Sequence, residues 1–239
     1  MSRAPPVVML SEDIAPVTSE RGFPLLITKK PDWLIPAGLL LLSAVPVAAG
    51  SARVAELAGN TPVTADNARF FDMPLPVVLH IFAASIFCLL GAFQFSPGIR
   101  RRHPGWHRGA GRVLIPCGIL AALTGLWMTL FYDLPPTDGT LLGVIRFVFG
   151  TGMIVSIVLA VFAIRRRDIP QHRAWMMRGY AIGLGAGTQV FTHVPWGLLV
   201  GPPGEFTRAM LMTAGWVINL AVVEWALRRR VSRPVAQAA

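Results

Sequence analysis

Ile99-Arg100-Arg101-Arg102-His103-Pro104-Gly105-Trp106-His107-Arg108 returns 65 residues later as Ile164-Arg165-Arg166-Arg167-Asp168-Ile169-Pro170-Gln171-His172-Arg173. Six of the ten positions are identical without a gap. Each copy separates two long apolar runs, so each reads as a short basic turn joining two membrane-crossing helices. Composition agrees: 54% of the 239 residues are apolar and only 14% charged, the balance of a chain whose solvent is lipid.

Working outward from the turns, six apolar runs emerge, at 33–50, 74–96, 113–132, 141–164, 175–200 and 209–227. At about 1.5 Å per helical residue, each reaches or approaches a hydrocarbon core of roughly 30 Å. The expected fold is therefore an all-α membrane bundle of six transmembrane helices. Its second to fifth helices form a four-helix core made of two related hairpins. Residues 1–32 read as a cytoplasmic arm, 33–230 as the transmembrane domain and 231–239 as a cytoplasmic tail.

A net charge of +10 would point to nucleic acid in a soluble chain, but its distribution excludes that partner here. Of the 22 Lys and Arg, 18 flank the two turns or lie in the terminal segments, against Arg53, Arg69 and Arg208 on the other side and Arg146 inside a helix. The positive-inside rule then places both termini and both turns in the cytoplasm, the topology of a multi-pass protein of the bacterial cytoplasmic membrane. The basic turns are expected to meet anionic lipid headgroups. No phosphate-binding loop, His-Glu-x-x-His, Gly-x-Ser-x-Gly or Cys-x-x-Cys occurs, so the familiar soluble-enzyme chemistries are absent from the sequence. Cys88 and Cys117 read as small core residues.

Inside the bundle, His80, Ala84, Phe87, Gly91 and Gln94 share one helical face, which the cost of a polar group in lipid turns inward. Gly179, Gly183 and Gly187 recur every four residues and allow close backbone approach. Arg146 lies roughly 10 Å from its helix end and reads either as an interfacial anchor or as an inward cation awaiting Asp72, Glu205 or a cofactor propionate. Asp138 is placed to cap the helix that follows it, residues 52–57 to form a short amphipathic helix in the loop, and Glu224 to pair with Arg228 at i+4.

The histidines sort by depth. His193 lies 21 residues past His172, about 31 Å along a helix, and His80 lies 17 residues before Pro97, about 25 Å. Two pairs result, His80 with His193 at the outer face and His107 with His172 at the cytoplasmic face. Paired imidazoles from facing helices are what a low-spin b-type haem requires, with Arg112, Arg146 and Arg178 as propionate partners and Gln94 and Gln189 as flanking hydrogen-bonding groups. The first functional expectation is thus a haem electron-transfer protein, a component of a membrane oxidoreductase working with a quinone or a redox partner. The second is a cofactor-free carrier, lipid-binding protein or accessory subunit, in which the same histidines and arginines hold an anionic headgroup or substrate. A partner subunit or homo-oligomer is compatible with either.

Leu79-His80 with Gly91-x-x-Gln94-Phe95, then His107-Arg108-x-x-Gly111-Arg112, then Gln171-His172-Arg173-Ala174-Trp175-Met176-x-Arg178-x-Tyr180 resemble the domain of unknown function 2306 family over about residues 70–200. That resemblance implies a multi-helix inner-membrane protein and no established reaction. A more distant likeness is to the ascorbate-reducible transmembrane cytochromes b, which implies six helices and a haem near each face. Their inner ligands come from the third and fifth helices, matching His107 and His172. Their outer ligands come from the second and fourth, and here Ile145-Arg146 stands where the fourth-helix histidine would be.

Overall fold

The computed structural model describes residues 32–59 and 61–231. Of the expected arm only Asp32 falls within them, and of the tail only Val231, so the rest of both lies outside the described residues. Among the described residues the chain is all helical: α1 (Leu34–Ala58), α2 (Ala68–Asp72), α3 (Pro74–Ala92), α4 (Pro97–Arg102), α5 (Pro104–Phe131), α6 (Gly139–Arg165), α7 (Ile169–Gly183), α8 (Gly185–Leu199) and α9 (Glu205–Val231). Five segments are long and apolar enough to cross a membrane: α1, α3 with its 3-10 extension to Phe95, α5, α6 with the turn before it, and α9.

The remaining run, 175–200, does not form one helix. It is divided at Leu184 into α7 and α8, each of 15 residues. Gly183, Gly185 and Gly187 weaken the helix there, and large side chains press into the space they leave. A Cβ on Gly183 would lie 2.8 Å from the Phe87 ring, and one on Gly185 would strike the Trp216 indole. A break inside a membrane bundle must have its free backbone groups satisfied by neighbours. Asn219 on α9 does this for one carbonyl before the break and also holds a side chain after it. Its Nδ2 donates to Ala181 O at 3.0 Å, and its Oδ1 accepts from Thr188 Oγ1 at 2.7 Å. Cys88 adds a weak thiol donor to Gly183 O at 3.7 Å.

Three further boundaries differ from expectation. Residues 52–57 continue α1 rather than forming a separate helix, because no breaker follows until Gly59. α5 starts at Pro104, well before residue 113, so His107, Arg108 and Arg112 lie on its first turns rather than in a loop. α7 likewise starts at Ile169, 65 residues on, and carries His172 and Arg173. Both helices have proline in their first turn, where its missing N–H costs nothing. The turns before them are built differently. Ser96 caps the extra helix α4 by accepting from Ile99 N at 3.3 Å. In the second turn Arg167 takes the left-handed conformation (φ 61°), closing α6, and Asp168 caps α7 by accepting from Gln171 N at 3.0 Å.

Hairpins α3–α5 and α6–α7 are the tightest pairings, and α5 joins them by packing on α6. α9 lies across α6, α7 and α8, while α1 packs on α3 and α8. The centre is Phe87, 1% exposed, set between the two hairpins. A Cβ on Gly118 would lie 2.6 Å from one edge of its ring, opposite the edge received by Gly183. Gly91 gives way in the same manner to Tyr180, whose hydroxyl donates to Cys88 O at 2.6 Å. At Gly187 the backbone of α8 meets Leu42 O of α1, the close approach that the glycine spacing implies. Cys88 is buried and Cys117 half-buried, both unpaired with each other.

Candidate functional site

The bundle has two ends. At one lie the two arginine-rich turns; at the other, the chain between α5 and α6 and the start of α9. Between α3, α5, α6, the α7–α8 break and α9 there is a cavity of about 410 Å³ opening toward the second end. Its inner wall is apolar, with Phe87, Ala122, Leu126, Phe149, Met153 and Trp216, the last stacked on Phe149 at 4.7 Å. His80 and Gln189 supply polar atoms partway up, and Arg69, Asp138, Arg146 and Arg208 line the mouth.

Asp138 organises that mouth. It is 3% exposed, and its two carboxylate oxygens are divided between two helices. Oδ2 accepts from Arg146 Nη1 of α6 at 2.7 Å, and Oδ1 accepts from Arg208 Nε of α9 at 2.6 Å. Arg146 Nη2 also approaches Met212 Sδ at 3.8 Å. Asp138 therefore forms no capping bond to α6; charge-assisted bonds to two guanidinium groups take its oxygens instead. Gly139, at φ 55°, turns the chain from Asp138 into α6, and a side chain there would collide with Glu205 at the head of α9. One carboxylate thus serves two arginines, and Arg69 brings a third guanidinium to the rim. Arg69 stacks on Phe70 at 4.5 Å, and Arg53 reaches the same ring at 4.4 Å.

The expected inward face of α3 is borne out: Phe87 and Gly91 are buried, and His80 and Ala84 line the cavity. His80 Nδ1 donates to Ala121 O of α5 at 2.9 Å and lies 3.2 Å from Thr124 Oγ1. A carbonyl partner fixes the proton on Nδ1 and leaves Nε2 with a bare lone pair. Gly125 makes room for the ring, since a Cβ there would lie 3.3 Å from His80 Cε1. Gln189, 8% exposed, donates from Nε2 to Met212 O at 3.0 Å. His193 is not part of the cavity wall. Its Nδ1 bonds Gln189 O of its own helix at 2.9 Å, whereas His80 lines the cavity.

At the basic end, His107 and His172 lie close enough for their charges to interact, with Arg100 and Arg108 also in range of His107. His172 Nδ1 donates to Ala160 O of α6 at 2.9 Å. His107 Nδ1 and Gln94 Nε2 are enclosed without a hydrogen-bond partner among the described residues. Arg178 is already engaged: Nε and Nη2 grip Glu224 at 2.6 and 3.1 Å, and the guanidinium lies 4.6 Å over Trp175. Glu224 thus directs its hydrogen bonds across to α7 rather than along α9 to Arg228, which remains within electrostatic range. Arg112 is exposed on α5.

The sequence reading missed Asp138 as an ion-pair centre, and Arg69 and Arg208 as parts of a site. A signal was present. Arg53, Arg69, Arg146 and Arg208 are the four arginines that the charge count leaves away from the basic end, and all four converge near the cavity mouth or on the Phe70 ring beside it. Among the described residues no group of three or more His, Cys, Asp or Glu is placed to hold a metal ion. No curated protein and no solved structure matches the chain. The model of the predicted membrane protein family DUF2306 matches residues 77–227, from α3 into α9, and the chain belongs to that family.

Proposed function

We propose that this membrane protein binds an amphipathic acid inside its bundle, as a carrier or as an accessory subunit. The acid group would sit at the mouth beside Arg69, Arg146 and Arg208, and the apolar body in the cavity below. The observation that carries this reading is the shared carboxylate of Asp138 at the head of an apolar chamber. Arg69, Arg146 and Arg208 meet at this mouth around Asp138, with Glu205 beside Gly139, and their remaining guanidinium N–H groups can hold an anionic head by charge-assisted hydrogen bonds. We take the chain to cross the bacterial cytoplasmic membrane six times, the α7–α8 pair counting as one interrupted crossing, with the basic end in the cytoplasm against anionic headgroups. The cavity mouth then faces away from the cytoplasm.

The test compares dodecanoate with dodecanol on protein reconstituted in nanodiscs. Dodecanoate is expected to bind more tightly by about tenfold or more, as a charge-assisted hydrogen bond contributes about 1.5–3 kcal/mol. Arg208→Gln should remove most of that preference. Equal affinity for acid and alcohol, or an unchanged preference in Arg208→Gln, would overturn the reading.

A second reading, a b-type haem, is favoured by one observation at the basic end. His172 ties Nδ1 to a carbonyl, as ligating histidines do, and the neighbouring His107 has an unpartnered ring nitrogen. His107 and His172 are the residues that fit such a group; of the outer histidines only His80 lines the cavity, and Arg178 is taken by Glu224. When bound there, haem would supply one-electron transfer to a quinone or redox partner. An absorption spectrum of oxidised and dithionite-reduced protein decides this: sharp reduced bands lost together in His107→Ala and His172→Ala support it, and a colourless protein from haem-supplied cells rejects it.

A further inference from the structure

Beside the arginine-mouthed cavity lies a second one, of about 220 Å³, between α1, α3 and the start of α8. The two share His80, Ala84, Cys88, Gly183 and Ala186, which form the waist between them. On its far side the second chamber is bounded by Pro46, Val47, Ile81 and Ser85, all half-exposed on the outer surface of the bundle. In a membrane that surface is lipid. The chamber is effectively apolar: the hydroxyl of Ser43, one of its few polar groups, is spent on Leu39 O at 2.8 Å within α1.

From these two chambers meeting at one thin shared wall we infer that the ligand is a lipid-chain acid, an acidic head on a long apolar chain, whose tail passes the His80–Ala84–Ala186 waist and reaches the bilayer between α1 and α3. This rests on the reading of the arginine mouth as an acid site. Charge complementarity holds one end of such a molecule, and the side chamber gives the other end an exit that a compact water-soluble acid would not need. Along α6 the distance from Arg146 to Met153 is about 10 Å, so a short chain is contained in the first cavity and a long one is not. The small side chains of Ala84 and Ala186 keep the waist thin where the chain must turn, beside the helix break at Leu184. Pro46 interrupts the hydrogen-bond ladder of α1 opposite.

The experiment measures binding of octanoate and hexadecanoate to wild-type protein, Val47→Trp and Ser85→Phe in nanodiscs, and cross-links wild-type protein with a hexadecanoate bearing a diazirine near its chain end. Wild type should hold hexadecanoate at least tenfold more tightly than octanoate. Either substitution in the side chamber should abolish that gain and leave octanoate unchanged, and the diazirine should label α1 around residues 43–50. Lysophosphatidate run in parallel distinguishes a phosphate from a carboxylate head, and preferential binding of either fits the inference. Chain-length-independent binding that still requires Arg208 would overturn this inference alone, as would labelling confined to α6 and α9. If neither acid binds, the acid-site reading falls with it.

Discussion

Asp138 carries more of this structure than its position suggests. Its carboxylate is 4% exposed at the side chain and neutralises parts of two arginines that are themselves 19% and 32% exposed. Removing the shared anion leaves two guanidinium groups facing each other with nothing between them. Breaking a buried pair from one side costs about 3–5 kcal/mol, because the charge left behind is uncompensated. Asp138→Asn is therefore expected to lower thermal stability in detergent sharply. Arg208→Gln should do so far less, because Asp138 keeps Arg146; comparable losses in the two would mean that the aspartate is not the hub. At this scale the sequence was legible in part. Arg146 was readable as an interfacial anchor or as an inward cation awaiting Asp72, Glu205 or a propionate, while its actual partner, Asp138, looked like a helix cap because it immediately precedes α6. Which anion wins is decided by α9 arriving from 70 residues away, and no local pattern carries that information.

The element that departs most from expectation is the fifth apolar run. Gly179, Gly183 and Gly187 were readable as points of close approach, and each of these three does receive a neighbour. That they also divide the segment depends on Asn219, whose amide reaches the freed carbonyl of Ala181 and whose oxygen holds Thr188 on the far side. An asparagine in an apolar helix advertises a polar partner but does not say which backbone it will meet. Asn219→Leu removes both bonds while roughly keeping volume, and interhelical hydrogen bonds in membranes contribute about 0.6 kcal/mol on average and up to about 1.7. A loss of about 1–2 kcal/mol is expected, together with faster amide exchange at residues 185–188, the first turn of α8. If exchange there is unchanged while stability falls, Asn219 acts through packing and the clamp is refuted. The cavity sits against this break, so ligand binding in Asn219→Leu should weaken even though Asn219 does not line the cavity.

Across the whole molecule, the 65-residue offset extends beyond the basic turns. It relates the first residues of α5 and α7, the cavity-lining Ala121 and Ala186, and Gly118 and Gly183, which receive the two edges of Phe87. The hairpins are not equivalent in what they present, for His80 corresponds to Ile145 and Arg146 to Ile81. One hairpin thus gives the cavity its imidazole and the other its cation. Phe87 likewise corresponds to Gly152, so a single ring fills the space shared by both glycines. Such an arrangement makes a test by coupling. Phe87→Ala should cost about 3–5 kcal/mol through lost packing. Gly118→Ala and Gly183→Ala should each cost about 1–3 kcal/mol by pressing on the ring. With Phe87 already truncated, a methyl at Gly183 meets only Met153 Cε at 3.3 Å and should become nearly neutral, whereas one at Gly118 still meets Ile157 Cδ1 at 2.7 Å and should lose only part of its cost. Coupling of at least about 1 kcal/mol in both cycles is the expected result, since residues in contact depart from additivity by about 0.5–3 kcal/mol. Additive behaviour in the Gly183 cycle would detach the second hairpin from Phe87, and the two halves would then be held together by the packing of α5 on α6 rather than by the ring between them.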